Sequence, residues 1–125
     1  RAGQAVKASF TPHLLPMNRG ILSTVYGELA HGVEIEQAQA ALQDFANREA
    51  FVVHAQGSTP VATRFVRSTN RVMVDLKADR RNGSFILLSA IDNLTKGSSG
   101  QAFQNFNVAF GLEETIGLHL VSAFP

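Results

Sequence analysis

The spacing of apolar residues in the first part of the chain predicts two strands and a helix. Residues 6–10 alternate apolar and polar side chains, which predicts a half-buried strand, and residues 20–30, rich in β-forming side chains, predict a longer one. Between Glu34 and Arg48 apolar residues recur at helical spacing, which predicts an amphipathic α-helix. Glu34 at its start and Arg48 at its end suit the helix dipole.

The middle of the chain predicts four short strands. Residues 51–55 and 61–66 are typical of strands and are separated by a Gly-Ser-Thr-Pro turn. Residues 71–77 and 84–91 follow, joined by a polar loop that ends in an Asn-Gly dipeptide at Asn82. This combination predicts an antiparallel hairpin.

The remaining pattern predicts a loop, a second helix and the fold class. The hairpin's second strand is apolar on both faces at residues 85–88, so we expect it to be covered on both sides. Residues 96–100 are small and polar and predict a loop, whereas residues 102–110 have helical spacing with Gly111 as the stop. The order of elements predicts a single α+β domain over residues 1–125, with a mixed, mostly antiparallel sheet and helices packed on it.

Composition narrows the classes of function. The chain has 125 residues, 45% of them hydrophobic and 17% charged, which is an ordinary globular balance. Its net charge of +1 argues against a strongly basic nucleic-acid binder. The absence of cysteine excludes a disulfide framework, a thiolate zinc site and a cysteine nucleophile within this chain. No apolar stretch is long enough to predict a membrane span.

Catalytic and metal motifs are largely missing. The four histidines have neither HxH nor HxxxH spacing, so no metal site is predicted. The carboxylate pairs lie near predicted helix ends, where a capping role is expected, and no GxSxG motif is present. His13 lies between Pro12 and Pro16, and this stiff backbone makes it a candidate site residue. The sequence shows no acidic partner for it.

Arginines supply the more suggestive signal. Arg64, Arg67 and Arg71 surround a Ser-Thr-Asn sequence, and Arg19 follows an asparagine. Guanidinium groups bind carboxylates and phosphates through paired hydrogen bonds, so these positions suit an anionic ligand, although surface charge is the simpler explanation for each one. The glycines at residues 97–100 open a helix but lack the form of a complete nucleotide-binding motif.

Three stretches of the chain are distinctive, and they follow one another in the order of a known pattern. They are residues 10–21 (FTPHLLPMNRGI), residues 66–70 (VRSTN) and residues 92–107 (DNLTKGSSGQAFQNFN). Together they resemble the N-acetyl-γ-glutamyl-phosphate reductase family of arginine biosynthesis. The first looks like one signature of that family, the second is similar to its V-x-G-T-N turn, with Ser68 where glycine is usual, and the third resembles its D-N-L-x-K-G-x-x-G-Q-A-x-Q-N-x-N block.

The resemblance implies the C-terminal portion of a two-domain enzyme. That family reduces an acyl phosphate to an aldehyde through a thioester on a cysteine, with NADP bound mainly by an N-terminal domain. The second domain resembles the C-terminal domain of glyceraldehyde-3-phosphate dehydrogenase and carries substrate and subunit contacts. Because this chain has no cysteine, the resemblance predicts that it is inactive alone. The architecture of such dehydrogenases also implies that residues 92–125 return to pack on the nucleotide-binding domain.

The resemblance also implies site residues. The substrate carries a carboxylate and an acyl phosphate, both of which need positioned donors. The expected substrate-side residues are His13, Arg19, Arg67 and Asn70. The expected cofactor-side residues are Asn93, Lys96 and Gly97.

Two other interpretations stay open at this point. A lysine-pathway homologue acting on an aminoadipyl phosphate shares the resemblance, and a stand-alone dimerisation or binding module is compatible with the composition. The resemblance further implies a cytoplasmic homo-oligomer without nucleic-acid or membrane partners. The start at Arg1 suggests a processed or truncated product, and the match at the other end suggests Pro125 as the natural C-terminus.

Overall fold

Four strands form one sheet, and helices lie against it and beside it. The computed structural model describes residues 7–55, 57–81 and 83–121. The elements in chain order are β1 (Ile21–Gly27), α1 (Ile35–Arg48), β2 (Val52–His54), β3 (Val72–Asp79), β4 (Ser84–Ile91) and α2 (Gly100–Ala109). A 3₁₀ turn at Thr63–Phe65 and a π-helical turn at Thr95–Ser99 complete the described structure. The predicted α+β class is confirmed.

The sheet has the order β1-β4-β3-β2 and is mixed. β4 pairs antiparallel with β1 and with β3, so that Ile91 lies opposite both Ile21 and Val72. β2 pairs with β3 in parallel, starting from Val52 opposite Val72. The predicted hairpin of β3 and β4 is therefore correct, and Gly83 in its connection has a φ of 71°. Asn82, the other half of the predicted turn, lies outside the described residues.

α1 lies where its sequence pattern predicts it. It starts directly after Glu34, whose backbone N–H donates to Gln37 Oε1 at 2.9 Å, and it ends at Arg48. Its side toward the sheet contacts β2 and β3, and Gln39 Nε2 donates to the Leu76 carbonyl at 2.8 Å. The amphipathic spacing and the charges at each end thus select the same helix that packing on the sheet stabilises.

The core lies between the sheet and the connection from β2 to β3. Met73 and Ala90, neighbours across the β3–β4 pair, pack with Ala55, Val61 and Val66. Ala90 has no exposed surface, so a larger side chain there has no room. The connection is therefore part of the core, although it forms no strand.

Two predicted strands are wrong. Residues 7–10 form no strand and Phe10 is 90% exposed, while Val6 lies outside the described residues. Alternation over five residues cannot hold a strand without a pairing partner. Residues 61–66 instead contain the 3₁₀ turn, because Val61 and Val66 both reach the core across one tight turn.

The predicted loop at residues 96–100 is also wrong, because this segment is helical. Gly97 N–H donates to the Asp92 carbonyl at 2.9 Å, and Ser99 N–H donates to the Leu94 carbonyl at 3.0 Å. The π-helical turn runs directly into α2 at Gly100. A Cβ at Gly100 would lie 2.3 Å from Asn70 Oδ1, so this glycine serves close packing and not flexibility.

Large apolar side chains stay exposed at both sides of the fold. On the edge strand β1 they include Leu22, Val25 and Tyr26, and on α2 and its C-cap they include Phe103, Phe106, Val108 and Phe110. Residues 85–88 of β4 are half-buried throughout, so the cover that the sequence predicts on both faces is incomplete within this chain. Such apolar surfaces are typical of faces that pack against another domain or chain.

Candidate functional site

One buried carboxylate joins three segments of the chain at the end of β4. Asp92 has no exposed surface, and both of its oxygens accept hydrogen bonds from Arg19 Nη2, at 2.7 and 2.6 Å. It also accepts the backbone N–H groups of Ser68 at 2.7 Å, Leu94 at 2.9 Å and Thr95 at 2.8 Å. A carboxylate with this many donors is held firmly in its charged form.

The electrostatics of Asp92 follow from these donors. Burial alone would raise the pKa of its carboxyl group. The hydrogen bonds from Arg19 and from the backbone N–H groups of Ser68, Thr95 and Leu94 outweigh burial and hold the pKa well below its ordinary value. The Arg19–Asp92 pair is therefore a buried ion pair whose carboxylate is fully satisfied.

Arginines line a cavity next to this ion pair. The cavity measures about 270 Å³ and lies between residues 17–20 and the turn that contains Thr63, Arg64 and Arg67. Arg67 is exposed, and Arg64 lies 4.8 Å from the centre of the Phe65 ring. The structure thus brings Arg19 and Arg67 to one cavity, as their proposed common role requires, whereas Arg71 does not line it.

Asn93 lies beside the same ion pair. Its Oδ1 accepts the Gly20 backbone N–H at 2.7 Å, which joins the start of β1 to the end of β4. Because a backbone N–H must face an oxygen, the Nδ2 group of Asn93 points away from Gly20 and keeps its two donors. Gly97 is close by, where an added Cβ would lie 3.3 Å from Ile91 Cδ1.

Asn70 and Lys96 meet at a different group, the side chain of Gln104 on α2. Gln104 Oε1 accepts from Asn70 Nδ2 at 3.0 Å and from Lys96 Nζ at 2.7 Å, while its Nε2 donates to Glu114. Asn70 is 1% exposed, so its amide is enclosed by protein. The structure therefore places Asn70 under α2 and away from the arginine-lined cavity.

The ammonium group of Lys96 is partly withdrawn from water. It lies 5.2 Å from the centre of the Phe51 ring, in cation–π contact. Burial lowers the pKa of Lys96, and the negative charges of Glu114 and Glu49 oppose this shift without cancelling it. Lys96 is thus a partly desolvated cation in the helical turn that leads into α2.

His13 stands apart from the residues around Asp92. It is exposed, and its Nδ1 lies 3.2 Å from the Thr11 carbonyl in the same extended segment. The histidine that does enter a network is His54, whose Nδ1 lies 2.5 Å from Gln43 Oε1 and whose Nε2 lies 3.5 Å from Asp75 Oδ1. His54 therefore links α1, β2 and β3.

Sequence reasoning missed the roles of Asp92, Gln104 and Asn107. Asn107 is 1% exposed and donates to the carbonyls of Glu114 and Ile116, which fixes the segment after α2. The signal for Asp92 was its position between a strand and a helical turn, where aspartate commonly caps the first N–H groups. No local signal shows that Gln104 would meet Asn70, which lies 34 residues away.

Metal and membrane features are not found in the described part of the chain. Over residues 7–55, 57–81 and 83–121, no group of three or more histidine, aspartate or glutamate side chains could hold a metal ion. The helices within these same ranges are also too short or too polar to cross a membrane.

Relatives with established names match the whole chain. N-acetyl-γ-glutamyl-phosphate reductases from Prochlorococcus marinus and Geotalea daltonii are 45% identical over 125 residues and 44% identical over 124 residues. The enzyme of that name from a Thermoanaerobacter species is 41% identical over 123 residues. These matches cover 98–99% of this chain but 35–36% of each relative, so the chain spans about a third of their length.

A family model defines the sheet-containing part. The model described as semialdehyde dehydrogenase, dimerisation domain, matches residues 1–93, which end directly after Asp92. This match includes all four strands and α1 and stops before the helical segment that leads into α2. The chain therefore belongs to the semialdehyde dehydrogenase dimerisation-domain family.

Proposed function

We propose that this chain is the substrate-binding and dimerisation portion of an NADP-dependent reductase that converts N-acetyl-γ-glutamyl phosphate to N-acetyl-glutamate semialdehyde in arginine biosynthesis. The observation that carries the proposal is the 45% identity over 99% of this chain to a reductase of that name. The dimerisation-domain match agrees with the division of roles that the proposal assumes.

The arginine-lined cavity is the proposed binding site for an anionic group of the substrate. Arg19 and Arg67 both line it, and Arg64 adds a third guanidinium group. Arg19 is already paired with Asp92 at 2.6 Å, which holds its guanidinium group beside the cavity. A carboxylate or phosphate oxygen would find two or more guanidinium groups within one small volume.

His13 and Asn70 remain proposed substrate-side residues with less structural support. His13 is exposed on an extended segment and needs a further surface to close over the substrate. Asn70 is enclosed beneath α2, so its contribution is to hold Gln104 and the start of α2 in place.

Asn93, Lys96 and Gly97 are the proposed cofactor-side residues. The donor end of Asn93 points away from Gly20, which suits the carbonyl oxygen of a carboxamide. The ammonium of Lys96 suits a phosphate, although Gln104 already holds it. A bound NADPH would supply the hydride, and most of its binding residues belong to the domain outside this chain.

The chemistry itself is assigned to the rest of the protein. A thioester step needs a cysteine thiolate, and this chain contains no cysteine. The proposal therefore includes a second domain that carries the nucleophile, a cytoplasmic location and a homo-oligomer of two or more chains. The segment from residue 94 onward lies outside the matched dimerisation domain and is proposed to pack on that second domain.

Activity of the complete protein tests the proposal. The protein encoded by the reading frame that contains this chain is expected to oxidise NADPH with N-acetyl-γ-glutamyl phosphate, and the isolated 125-residue chain is not. A complete protein without this activity would overturn the proposal. Activity in the isolated chain would overturn the assignment of the nucleophile to another domain.

Substrate preference in this assay, together with the sequence of the reading frame, separates the two alternatives. A preference for an aminoadipyl phosphate substrate would identify the lysine-pathway homologue. A reading frame that begins at this chain and encodes no cysteine-containing domain would identify a stand-alone module. The names of the relatives favour the acetylglutamyl substrate.

A further inference from the structure

Asp92 connects the three segments that carry the proposed site. Through Arg19 it holds residues 17–20, which form one wall of the arginine-lined cavity. Through the Ser68 N–H it holds the turn that follows Arg67, on the opposite wall. Through Leu94 and Thr95 it starts the helical turn beyond Asn93. One carboxylate thus fixes both walls of the cavity relative to each other.

The geometry of Arg19 leaves part of its guanidinium group available. Its hydrogen bonds to Asp92, and a longer one of 3.4 Å to Thr95 Oγ1, all use Nη2. Its Nε is buried, whereas Nη1 makes none of these contacts, and the side chain is 26% exposed where it lines the cavity, so Nη1 is the group that can reach a ligand. A guanidinium group offers five donors, so one nitrogen can hold Asp92 while another binds an anion.

We propose that Asp92 is a positioning residue of the reductase, which holds Arg19 so that its remaining N–H groups face the acyl-phosphate substrate in the arginine-lined cavity. Asp92 does not touch the substrate itself. This proposal rests on the proposed function and adds a residue to its site.

The physical argument is one of preorganisation. A free arginine side chain loses rotamer entropy when it orders on a ligand, and this loss weakens binding. Asp92 orders Arg19 before the substrate arrives, because the ion pair is buried and its carboxylate is satisfied by backbone donors as well. Removal of the Asp92 charge would therefore weaken substrate binding through Arg19 and leave the chemical step largely unchanged.

The test is steady-state kinetics of the complete protein with Asp92→Asn. We expect the KM for N-acetyl-γ-glutamyl phosphate to rise about tenfold or more, as for the loss of a charged hydrogen bond. The kcat and the KM for NADPH are expected to stay close to wild type. An unchanged KM for the acyl phosphate, or a fall in kcat alone, would overturn the proposal.

A double-mutant cycle with Arg19→Met distinguishes positioning from general structural support. If Asp92 acts mainly through Arg19, Asp92→Asn raises KM much less once Arg19 is replaced than it does in the wild-type protein. Additive effects of the two substitutions would overturn the proposal. Arg80→Gln, in the hairpin connection at the opposite end of β4, is the matched control for the loss of one arginine and is expected to leave KM unchanged.

A second variant keeps the test decisive if Asp92→Asn does not fold. Arg19→Lys keeps the positive charge next to Asp92, but the ammonium group has a single nitrogen and lacks the second, separately placed nitrogen with which arginine can face the cavity while it holds Asp92. We expect it to fold and to raise the KM for the acyl phosphate about tenfold. An unchanged KM would overturn the proposal, whereas a wild-type protein without reductase activity would overturn the proposed function instead.

Discussion

Ser68 occupies a backbone conformation that serine rarely adopts. Its φ is 62°, in the left-handed region, and it is the one residue other than glycine with a positive φ among those the structure describes. This conformation turns its N–H toward Asp92, which accepts it at 2.7 Å. In the family turn that residues 66–70 resemble, glycine stands at the position of Ser68, and glycine adopts this conformation without steric cost.

Replacement of Ser68 by glycine is therefore expected to stabilise the chain. The left-handed conformation costs an L-residue roughly 1–2 kcal/mol, which glycine avoids. Glycine also has more conformational entropy in the unfolded chain, which offsets part of this advantage, so we expect a net stabilisation of about 1 kcal/mol. Urea denaturation measures the change. Ser98→Gly, in the exposed helical segment, is the matched control and should destabilise the chain; a loss of stability in both variants would contradict the strain argument.

Asp92 predicts how stability depends on pH. Since its pKa is lower in the folded chain than in the unfolded one, its contribution is complete above the ordinary aspartate pKa and is lost as the pH falls through the folded value. We expect the free energy of unfolding to drop as the pH is lowered below about 4. The drop should be smaller in Asp92→Asn than in Asp44→Asn, which removes an exposed carboxylate of α1. Equal acid dependence in the two variants would contradict this.

At the residue scale, the sequence identifies candidates from the chemistry of each side chain, and their roles in binding stay predictions. The sequence predicts Arg19 and Arg67 as anion-binding candidates, and the structure brings both to one cavity. Asp92 was not identified as the group that organises them, because its partners lie 24 and 73 residues away along the chain. Local patterns carry no information about contacts of that separation.

At the scale of elements, periodicity was reliable when it extended over many residues. α1 spans 14 residues and was predicted almost to its ends, and the hairpin of β3 and β4 was equally clear. The short apolar run at residues 61–66 misled, because two buried valines at the ends of a 3₁₀ turn look like the ends of a strand. The helical turn at Thr95–Ser99 is hard to predict because its glycines and serines are typical of a loop. The turn forms because Asp92 accepts the Thr95 N–H at its start.

α2 is expected to be the least stable helix of the isolated chain. Phe103 and Phe106 are each 49% exposed and Phe110 is 69% exposed, and an unburied phenylalanine forgoes about 2 kcal/mol of burial. Amide hydrogen exchange should therefore be faster in residues 100–109 than in β3 and β4. α1, which packs on the sheet, is the internal control and should exchange slowly. Equal protection of α2 and the hairpin would show that α2 needs no second domain.

For the whole molecule, the exposed apolar edge predicts self-association. β1 is an edge strand, and Leu22, Val25 and Tyr26 are 53%, 48% and 67% exposed. Long apolar edges are rarely left open to water. We expect a dimer or higher oligomer by light scattering at micromolar concentration, and a shift toward the monomer in Val25→Lys. Val53→Lys, on the opposite edge strand, should keep the oligomer; a monomeric wild-type chain would contradict the prediction.

The hydrogen bond between Gly20 and Asn93 has a consequence for architecture. Its length of 2.7 Å means that the chain enters the sheet unit and leaves it at the same point, although the two residues are 73 positions apart. A unit whose ends meet needs only one attachment point, so it can sit as an insertion within a host domain built from the sequence on either side. A short linker from residue 93 back to residue 20 would then close this unit into a self-contained module. Insertion at a single surface position of another protein would likewise suffice to move the unit to a new host.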